Sequence, residues 1–160
     1  MTDVGVVVSF LGAYLNFSAF IKRTTTTLIA DALPCLFSVM RTHGVKRILA
    51  LLTPSYYVSP ETYSWKWWFY LCMPPIFAPQ GNAEMKGIAT QIASQEDLDW
   101  TIFRVPHLTV GDEKKEVFAG LLSKECAATT ELTRESLVKW VLKEIEEGNW
   151  VKRAPAVANL

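Results

Sequence analysis

The segment His43–Pro54, with the sequence HGVKRILALLTP, carries the clearest fold signal in the chain. Gly44 is the expected stop of a preceding helix, because glycine readily adopts the backbone conformation that ends helices. Val45–Thr53 is mostly apolar, as expected for a parallel strand that is covered on both faces. Pro54 ends that strand, since proline has no amide hydrogen to donate to a neighbour. The segment therefore predicts a helix end, a turn and a buried strand.

The neighbouring segments continue this alternation of strand and helix. Val4–Leu11 is a continuous apolar strand, and the hydroxyls of Thr24–Thr27 are candidate caps for a helix that reaches about His43. Gly81–Ser94 has apolar residues at helical spacing, and Asp99–Val105 predicts a third strand. Two crossovers between three strands predict a three-layer α/β sandwich with a mostly parallel sheet.

The composition argues against several classes of protein. The chain has 160 residues, half of them hydrophobic, which suits one domain over residues 1–160. Its 16 basic and 16 acidic residues cancel, and no cluster of Lys and Arg exceeds a pair, so nucleic-acid binding is not expected. Cys35, Cys72 and Cys126 lack metal-ligand spacing, so no metal site is expected. Asp3 stands where a signal peptide would carry a basic residue, which predicts a cytoplasmic location.

Residues 55–80 form a long segment rich in aromatic residues and proline. Its core, Trp65–Pro79, contains a lysine and three prolines and is shorter than the ~20 residues that cross a bilayer, so no membrane span is expected. Loops of this length in compact domains are usually lids or binding segments. We therefore predict a lid over an apolar pocket, in which Trp65, Trp68 and Phe69 contact a hydrophobic substrate. The alternative is that these rings form a contact between two subunits.

Three blocks of sequence follow one another in a characteristic order. They are HGVKRILALLTP at residues 43–54, DWTIFRVPHLT at residues 99–109, and Leu132–Leu160, which begins a helix and runs through EEGNWVKRAPAVANL. These blocks resemble the NmrA-like branch of the atypical short-chain dehydrogenases/reductases, whose members carry the patterns GVKR-apolar-S/T-P and DWT-apolar-R-P. The resemblance implies a truncated Rossmann-like fold that lacks the glycine-rich first half. It also implies that ligands lie at the carboxyl ends of the strands.

The glycine-rich turn that binds the cofactor phosphates in such folds has no counterpart in this sequence. Those phosphates lie at a helix N-terminus, where backbone amides and the helix dipole attract anions. Gly5 is inside the first strand and Gly12 follows it, without the G-x-x-G-x-x-G spacing. The sequence therefore predicts no cofactor, with NADPH as the alternative. By the resemblance, Gly12 would line the nicotinamide side of the site.

Two further departures from the family concern proton transfer. Where the family has a pair of Ser or Thr residues at a strand end, this chain has Leu52 followed by Thr53, so only Thr53 remains as a catalytic candidate. The Y-x-x-x-K arrangement of ordinary members is also missing, since Asn82 precedes Lys86 by four residues. Lys86 remains a candidate for stabilising a carbonyl oxygen or an enolate.

His107 is the main candidate for a general acid or base. It follows Pro106 in the loop that the resemblance places beside the substrate, and histidine titrates near neutral pH. Glu84 is a candidate proton acceptor, and Tyr56 is a candidate donor to a substrate oxygen. The alternative for each of these side chains is an ordinary structural role at the surface or in packing.

Tyr57 and Arg104 complete the predicted substrate contacts. Tyr57 lies on the loop that follows Thr53-Pro54, and Arg104 lies at a strand end. Arg104 has the alternative role of pairing with Asp99 or Asp112 to hold the loop in place.

These observations support three hypotheses for function. The first is a cofactor-independent cyclase or isomerase, or a dehydratase, that derives from a reductase and acts on a hydrophobic secondary metabolite. The second is an NADPH-dependent oxidoreductase of the NmrA-like family. The third is a non-catalytic regulatory or interaction protein. Because Val4–Leu11 would lie at an open sheet edge, we also predict a homodimer that pairs through this strand or through residues 55–80.

Overall fold

Residues 4–12, 26–111 and 115–160 are described in the computed structural model of the protein. Its strands, in chain order, are β1 (Val6–Ser9), β2 (Arg47–Leu52), β3 (Asp99–Arg104), β4 (His107–Thr109), β5 (Val117–Gly120), β6 (Glu131–Thr133) and β7 (Ala156–Asn159). Five of them form a sheet in the order β1-β2-β3-β7-β5, in which the first four are parallel and β5 is antiparallel to β7. β4 and β6 form a separate parallel pair. The predicted α/β fold with a mostly parallel sheet is confirmed.

The helices are α1 (Leu28–Thr42), α2 (Trp65–Phe77), α3 (Pro79–Ala93) and α4 (Arg134–Glu147). The prediction of a long loop over residues 55–80 is wrong in its central part, which is α2. Its first turn is capped by Ser64, whose hydroxyl accepts a hydrogen bond from the Trp67 amide. Pro79 occupies the first turn of α3, where proline loses no helical hydrogen bond.

The strands bury both of their faces, which makes three layers. On one face, Ile48 and Ala50 of β2 and Ile102 of β3 pack against α1 and α3. On the other face, Leu49 of β2 and Phe103 of β3 pack against α4. Successive strand residues point to opposite faces, so β2 needs apolar residues at nearly every position. This requirement explains the continuous apolar runs in the sequence.

The start of α1 is capped differently from the prediction. Thr24 and Thr25 lie outside the described residues, and the side chain of Thr27 makes no capping hydrogen bond. Instead, the buried carboxylate of Glu84 on α3 accepts a hydrogen bond of 2.8 Å from the Ala30 amide. A side chain from another helix therefore satisfies an amide that has no partner inside α1.

β1 lies at one edge of the main sheet and pairs with β2 alone among the described strands. The edge position is as expected from the sequence, whereas the pairing of two subunits through it stays a prediction. None of the helices within residues 4–12, 26–111 and 115–160 combines the length and the apolar character that a membrane crossing requires.

Candidate functional site

The carboxyl ends of β1 and β2 lie side by side, because the two strands are parallel and Ser9 is in register with Ala50. Thr53 follows β2, and its hydroxyl shares a hydrogen bond of 2.8 Å with the hydroxyl of Ser55. The sequence left only Thr53 as a catalytic candidate at this strand end, because Leu52 stands at the first position of the Ser/Thr pair that the family carries. Ser55 supplies the second hydroxyl, and the short spacing T-P-S was the signal for it.

Gly12, which follows β1, lies against the first turns of α3. A Cβ atom added to Gly12 would stand 3.1 Å from Cε of Met85. Such a contact is tighter than side chains normally make, so the absence of a side chain lets the chain pass close to α3. The first turns of α3 therefore border the site, next to the carboxyl ends of β1 and β2.

The first turn of α3 carries two buried side-chain oxygens without a hydrogen-bond partner among the described residues: Oε1 of Gln80 and Oδ1 of Asn82. The side-chain nitrogen Nε2 of Gln80 donates to the Thr26 hydroxyl at 3.2 Å, so only the side-chain oxygen of Gln80 is unpaired. Buried acceptors nearly always have partners, and an unpaired one costs about 1–3 kcal/mol. Asn82 lies one turn before Met85, the residue that Gly12 contacts. The first turn of α3 is therefore suited to a ligand that donates hydrogen bonds.

The other catalytic candidates on α3 face different surroundings. Lys86 is exposed to solvent. Glu84 is 5% exposed and binds the Ala30 amide at the start of α1. The structure thus gives Glu84 a structural partner, and its catalytic role stays a prediction.

His107 is separated from this edge by two buried residues that follow β3. It is the first residue of β4, its side chain is exposed, and its amide donates to the Thr130 carbonyl at 3.3 Å. Its side chain has no hydrogen bond or ion pair within the described part of the chain. A histidine in this position is open to solvent and to a ligand alike, and its role as acid or base stays a prediction.

Arg104 is completely buried and pairs with Glu61. The prediction that Arg104 pairs with Asp99 is therefore wrong. The alternative partner, Asp112, lies outside the described residues. Arg104 donates to both carboxylate oxygens of Glu61 and to the backbone oxygens of Tyr56 and Ala154. With these bonds and no exposed surface, its guanidinium fixes the loop after β2 onto the sheet. The Arg104 side chain leaves no exposed surface for the predicted contact with substrate.

Glu61 also binds two groups besides Arg104. Its carboxylate accepts hydrogen bonds from the Leu122 amide at 2.9 Å and from the Tyr63 hydroxyl at 3.1 Å. Sequence analysis missed Glu61, because no local pattern marks a residue whose partners are distant in the chain.

Burial, together with the negative charge of Glu61, raises the pKa of Tyr63 above its usual value of 10.0. A raised pKa in the folded state means that stability is intact below about pH 10 and falls as the pH rises above it. We expect Tyr63 to ionise later than exposed tyrosines in an alkaline titration followed by tyrosinate absorbance. Tyr70, whose pKa burial also raises, should be late as well. Tyr63→Phe should remove one of the late groups; loss of an early group instead would contradict the prediction.

The predicted lid residues are divided between the surface and the core. Trp65, Trp68 and Phe69 are 76%, 61% and 57% exposed on α2. Trp67 is buried, and its indole nitrogen donates to the Ala128 carbonyl at 3.0 Å. Tyr56 and Tyr57 line a groove on the face of the sheet. The aromatic segment therefore does not converge on the edge beside Gly12.

Comparison with solved structures shows the same fold. A Bacillus halodurans protein named as an NAD-dependent epimerase/dehydratase matches with a TM-score of 0.68 and 16% identity, over 98% of this chain and 65% of that one. A Veillonella parvula short-chain dehydrogenase/reductase in complex with NADP matches with a TM-score of 0.57 and 18% identity, over 98% and 64%. A Streptococcus pneumoniae protein named as an NADH-flavin reductase matches with a TM-score of 0.67 and 14% identity, over 99% and 73%. This chain thus spans about two thirds of the first two structures. No curated protein sequence matches it.

A protein-family model described as NAD(P)H-binding matches residues 1–148. This match and the neighbour with bound NADP overturn the prediction that the protein uses no cofactor. That prediction took the glycine-rich turn as the whole cofactor site. The strand ends beside Gly12 and Thr53 are present in this chain without that turn. Since the match extends over most of its length, the chain belongs to the NAD(P)H-binding family.

Proposed function

We propose that the protein is an NAD(P)H-dependent oxidoreductase and that the edge formed by Gly12, Thr53 and the first turn of α3 receives the nicotinamide end of the cofactor. The observation that carries this proposal is the buried Oδ1 of Asn82, which has no hydrogen-bond partner among the described residues. The nicotinamide ring carries a carboxamide, whose NH₂ group is a hydrogen-bond donor of the kind that this oxygen lacks. When bound, NAD(P)H supplies a hydride.

Thr53 and Ser55 suit the binding of a substrate oxygen. Each hydroxyl has one hydrogen, and their mutual hydrogen bond uses one of the two. Within the described residues neither hydroxyl has another side-chain partner, so one hydrogen remains free to donate. A carbonyl oxygen placed there would be held and polarised at the ends of β1 and β2. The reaction class that this favours is reduction of a carbonyl or a related acceptor.

The apolar substrate predicted from the sequence has a different set of candidate contacts. Ile76 and Phe77 are 59% and 61% exposed at the end of α2, directly before α3. Trp65 is at the other end of α2, roughly 18 Å away along a helix of this length. Ile76 and Phe77 are therefore closer along the chain to Asn82 than the predicted aromatic contacts are. We propose that they border the substrate.

The test is binding of NADPH and NADH to the full chain, measured by calorimetry. Asn82→Leu should weaken binding about tenfold, because the oxygen that accepts from the carboxamide is lost. The same substitution should not lower the free energy of unfolding, because it removes a buried acceptor that has no hydrogen-bond partner among the described residues of the free protein. Asn149→Leu makes the same change at an exposed site on the far side of the sheet and should leave binding unchanged.

Two results would contradict the proposal. One is the absence of binding of either dinucleotide at millimolar concentration. The other is equal affinity in the wild type, Asn82→Leu and Asn149→Leu. No observation on the described residues favours the cofactor-independent cyclase or isomerase.

A further inference from the structure

A groove on the α1 and α3 face of the sheet plays no part in the site described above. It has a volume of about 660 Å³, which is in the usual range of small-molecule sites. It is lined by four pieces of chain: residues 56–59, Trp100 at the start of β3, Leu121 after β5, and residues 150 and 152–155, which precede β7.

The groove is at a different place on the sheet from the proposed nicotinamide edge. Trp100 is the second residue of β3, and its carbonyl accepts a hydrogen bond from the Lys152 amide at 2.6 Å. This part of the groove therefore lies toward the amino ends of β3 and β7. Gly12 and Thr53, in contrast, follow the carboxyl ends of their strands. At the other end of the groove the Tyr56 amide donates to the Thr53 carbonyl at 3.4 Å, so only the end that carries Trp100, Lys152 and Arg153 lies apart from the nicotinamide edge.

The side chains that line the groove are aromatic and basic. The rings come from Tyr56, Tyr57, Trp100 and Trp150, and the charged residues are Lys152 and Arg153. No acidic residue is part of the lining. Flat apolar walls with a positive charge at one end are complementary to a planar ring system with an anionic group.

Neither positive charge is neutralised by a carboxylate bonded to it. Within the described residues the side chain of Arg153 makes no hydrogen bond or ion pair, although it is exposed. Lys152 donates to the carbonyl oxygen of Glu96 at 2.7 Å, which does not cancel its charge. The carboxylate of Asp97 is bonded to Arg41 at 2.7 Å and also attracts Lys152, so Arg153 is the positive charge without a carboxylate partner among the described residues. The end of the groove next to Lys152 and Arg153 is therefore electrostatically favourable for an anion.

The backbone at this end of the groove is strained. Lys152 has a φ angle of 56°, in the left-handed region that residues other than glycine rarely occupy. Such a conformation persists only where the surrounding structure enforces it. The turn places Lys152 and Arg153 in succession beside Trp150.

We propose that this groove binds a small planar aromatic anion, with its rings against Trp100 and Trp150 and its anionic group beside Arg153 and Lys152. The volume is sufficient for a fused two-ring compound with a carboxylate or sulfonate. The proposal is independent of the assignment of NAD(P)H to the other edge.

The test uses naphthalene-2-sulfonate and its neutral analogue naphthalene-2-methanol, with binding to the full chain followed by calorimetry and by tryptophan fluorescence. The sulfonate should bind more tightly than the alcohol and should change the fluorescence of the indoles in the lining. Arg153→Gln should weaken sulfonate binding about tenfold and leave the alcohol unaffected, because only the charge-assisted contact is lost. The variant should fold, since the Arg153 side chain has no bonded partner in the described residues.

Lys124→Gln is the matched control, because it removes one positive charge from an exposed residue outside the groove lining. It should bind both probes like the wild type. Equal loss in Lys124→Gln and Arg153→Gln would overturn the proposal, as would the failure of the sulfonate to bind. Displacement of the sulfonate by NADPH would show a single shared site and would overturn the separation argued here. Simultaneous binding would support it.

Discussion

Arg104→Met is expected to lower the free energy of unfolding by about 3–5 kcal/mol, because it leaves the buried carboxylate of Glu61 without its charge partner. Both side chains are completely buried. Glu61 would keep its hydrogen bonds from the Leu122 amide and the Tyr63 hydroxyl, but these donors carry no positive charge. The Tyr56 and Ala154 carbonyls would lose a donor at the same time. The loop after β2 should therefore come loose from the sheet.

Urea denaturation followed by circular dichroism measures this effect. Arg41→Met is the matched control, since Arg41 pairs with Asp97 at the surface, where the two side chains are 44% and 55% exposed. Exposed pairs contribute little, so the control should lose much less stability than Arg104→Met. The double variant Arg104→Met with Glu61→Leu should recover part of the lost stability, because no unpaired charge remains buried. If Arg104→Met unfolds at the same urea concentration as Arg41→Met, the pair does not hold the loop.

Glu84→Leu is expected to destabilise the protein by about 1–3 kcal/mol, because the Ala30 amide would lose its acceptor in a buried position. The carboxylate also lies at the positive end of the α1 dipole, so its charge adds to the hydrogen bond. Thermal unfolding of the wild type and the variant measures the change. Glu135, in the first turn of α4, is exposed, and Glu135→Leu should have a smaller effect.

Glu84→Gln separates the structural role of this residue from the catalytic role predicted from the sequence. Glutamine keeps an oxygen that accepts from the Ala30 amide, but it cannot take up a proton. If Glu84 acts only at the start of α1, Glu84→Gln should keep most of the stability and all of the proposed reductase activity. A stable Glu84→Gln protein without activity would show that Glu84 is a catalytic base.

The buried strands were predictable, because their physical requirement is local. β2 is covered on both faces, so all of its residues after Arg47 are apolar and the pattern is visible in the printed sequence. The helix stop at Gly44, just after α1, was equally clear, since its φ angle of 70° is one that glycine adopts without strain. Short strands such as β4 and β6, with three residues each, are too brief to show a pattern.

Helix α2 was missed because its sequence is apolar on almost every side. WKWWFYLCMPPIF has no alternation between an apolar and a polar face, and its two adjacent prolines are typical of loops. The aromatic composition was recognised, but composition does not separate Trp67, buried in the core, from Trp68, exposed on the surface. Only packing against Ala128 distinguishes them.

The residues of the candidate site also fall into two groups, those whose position the sequence indicates and those whose role depends on the tertiary structure. Thr53 directly follows β2 and Gly12 comes three residues after the end of β1, so their place at the carboxyl edge follows from the order of elements alone. The unpaired oxygen of Asn82 depends on what surrounds it, and the pairing of Arg104 with Glu61 joins residues 43 positions apart. Strand periodicity and helix stops are set by neighbours in the chain, and the sequence was sufficient for them. Burial and charge pairing are set by neighbours in space, which the folded chain brings together.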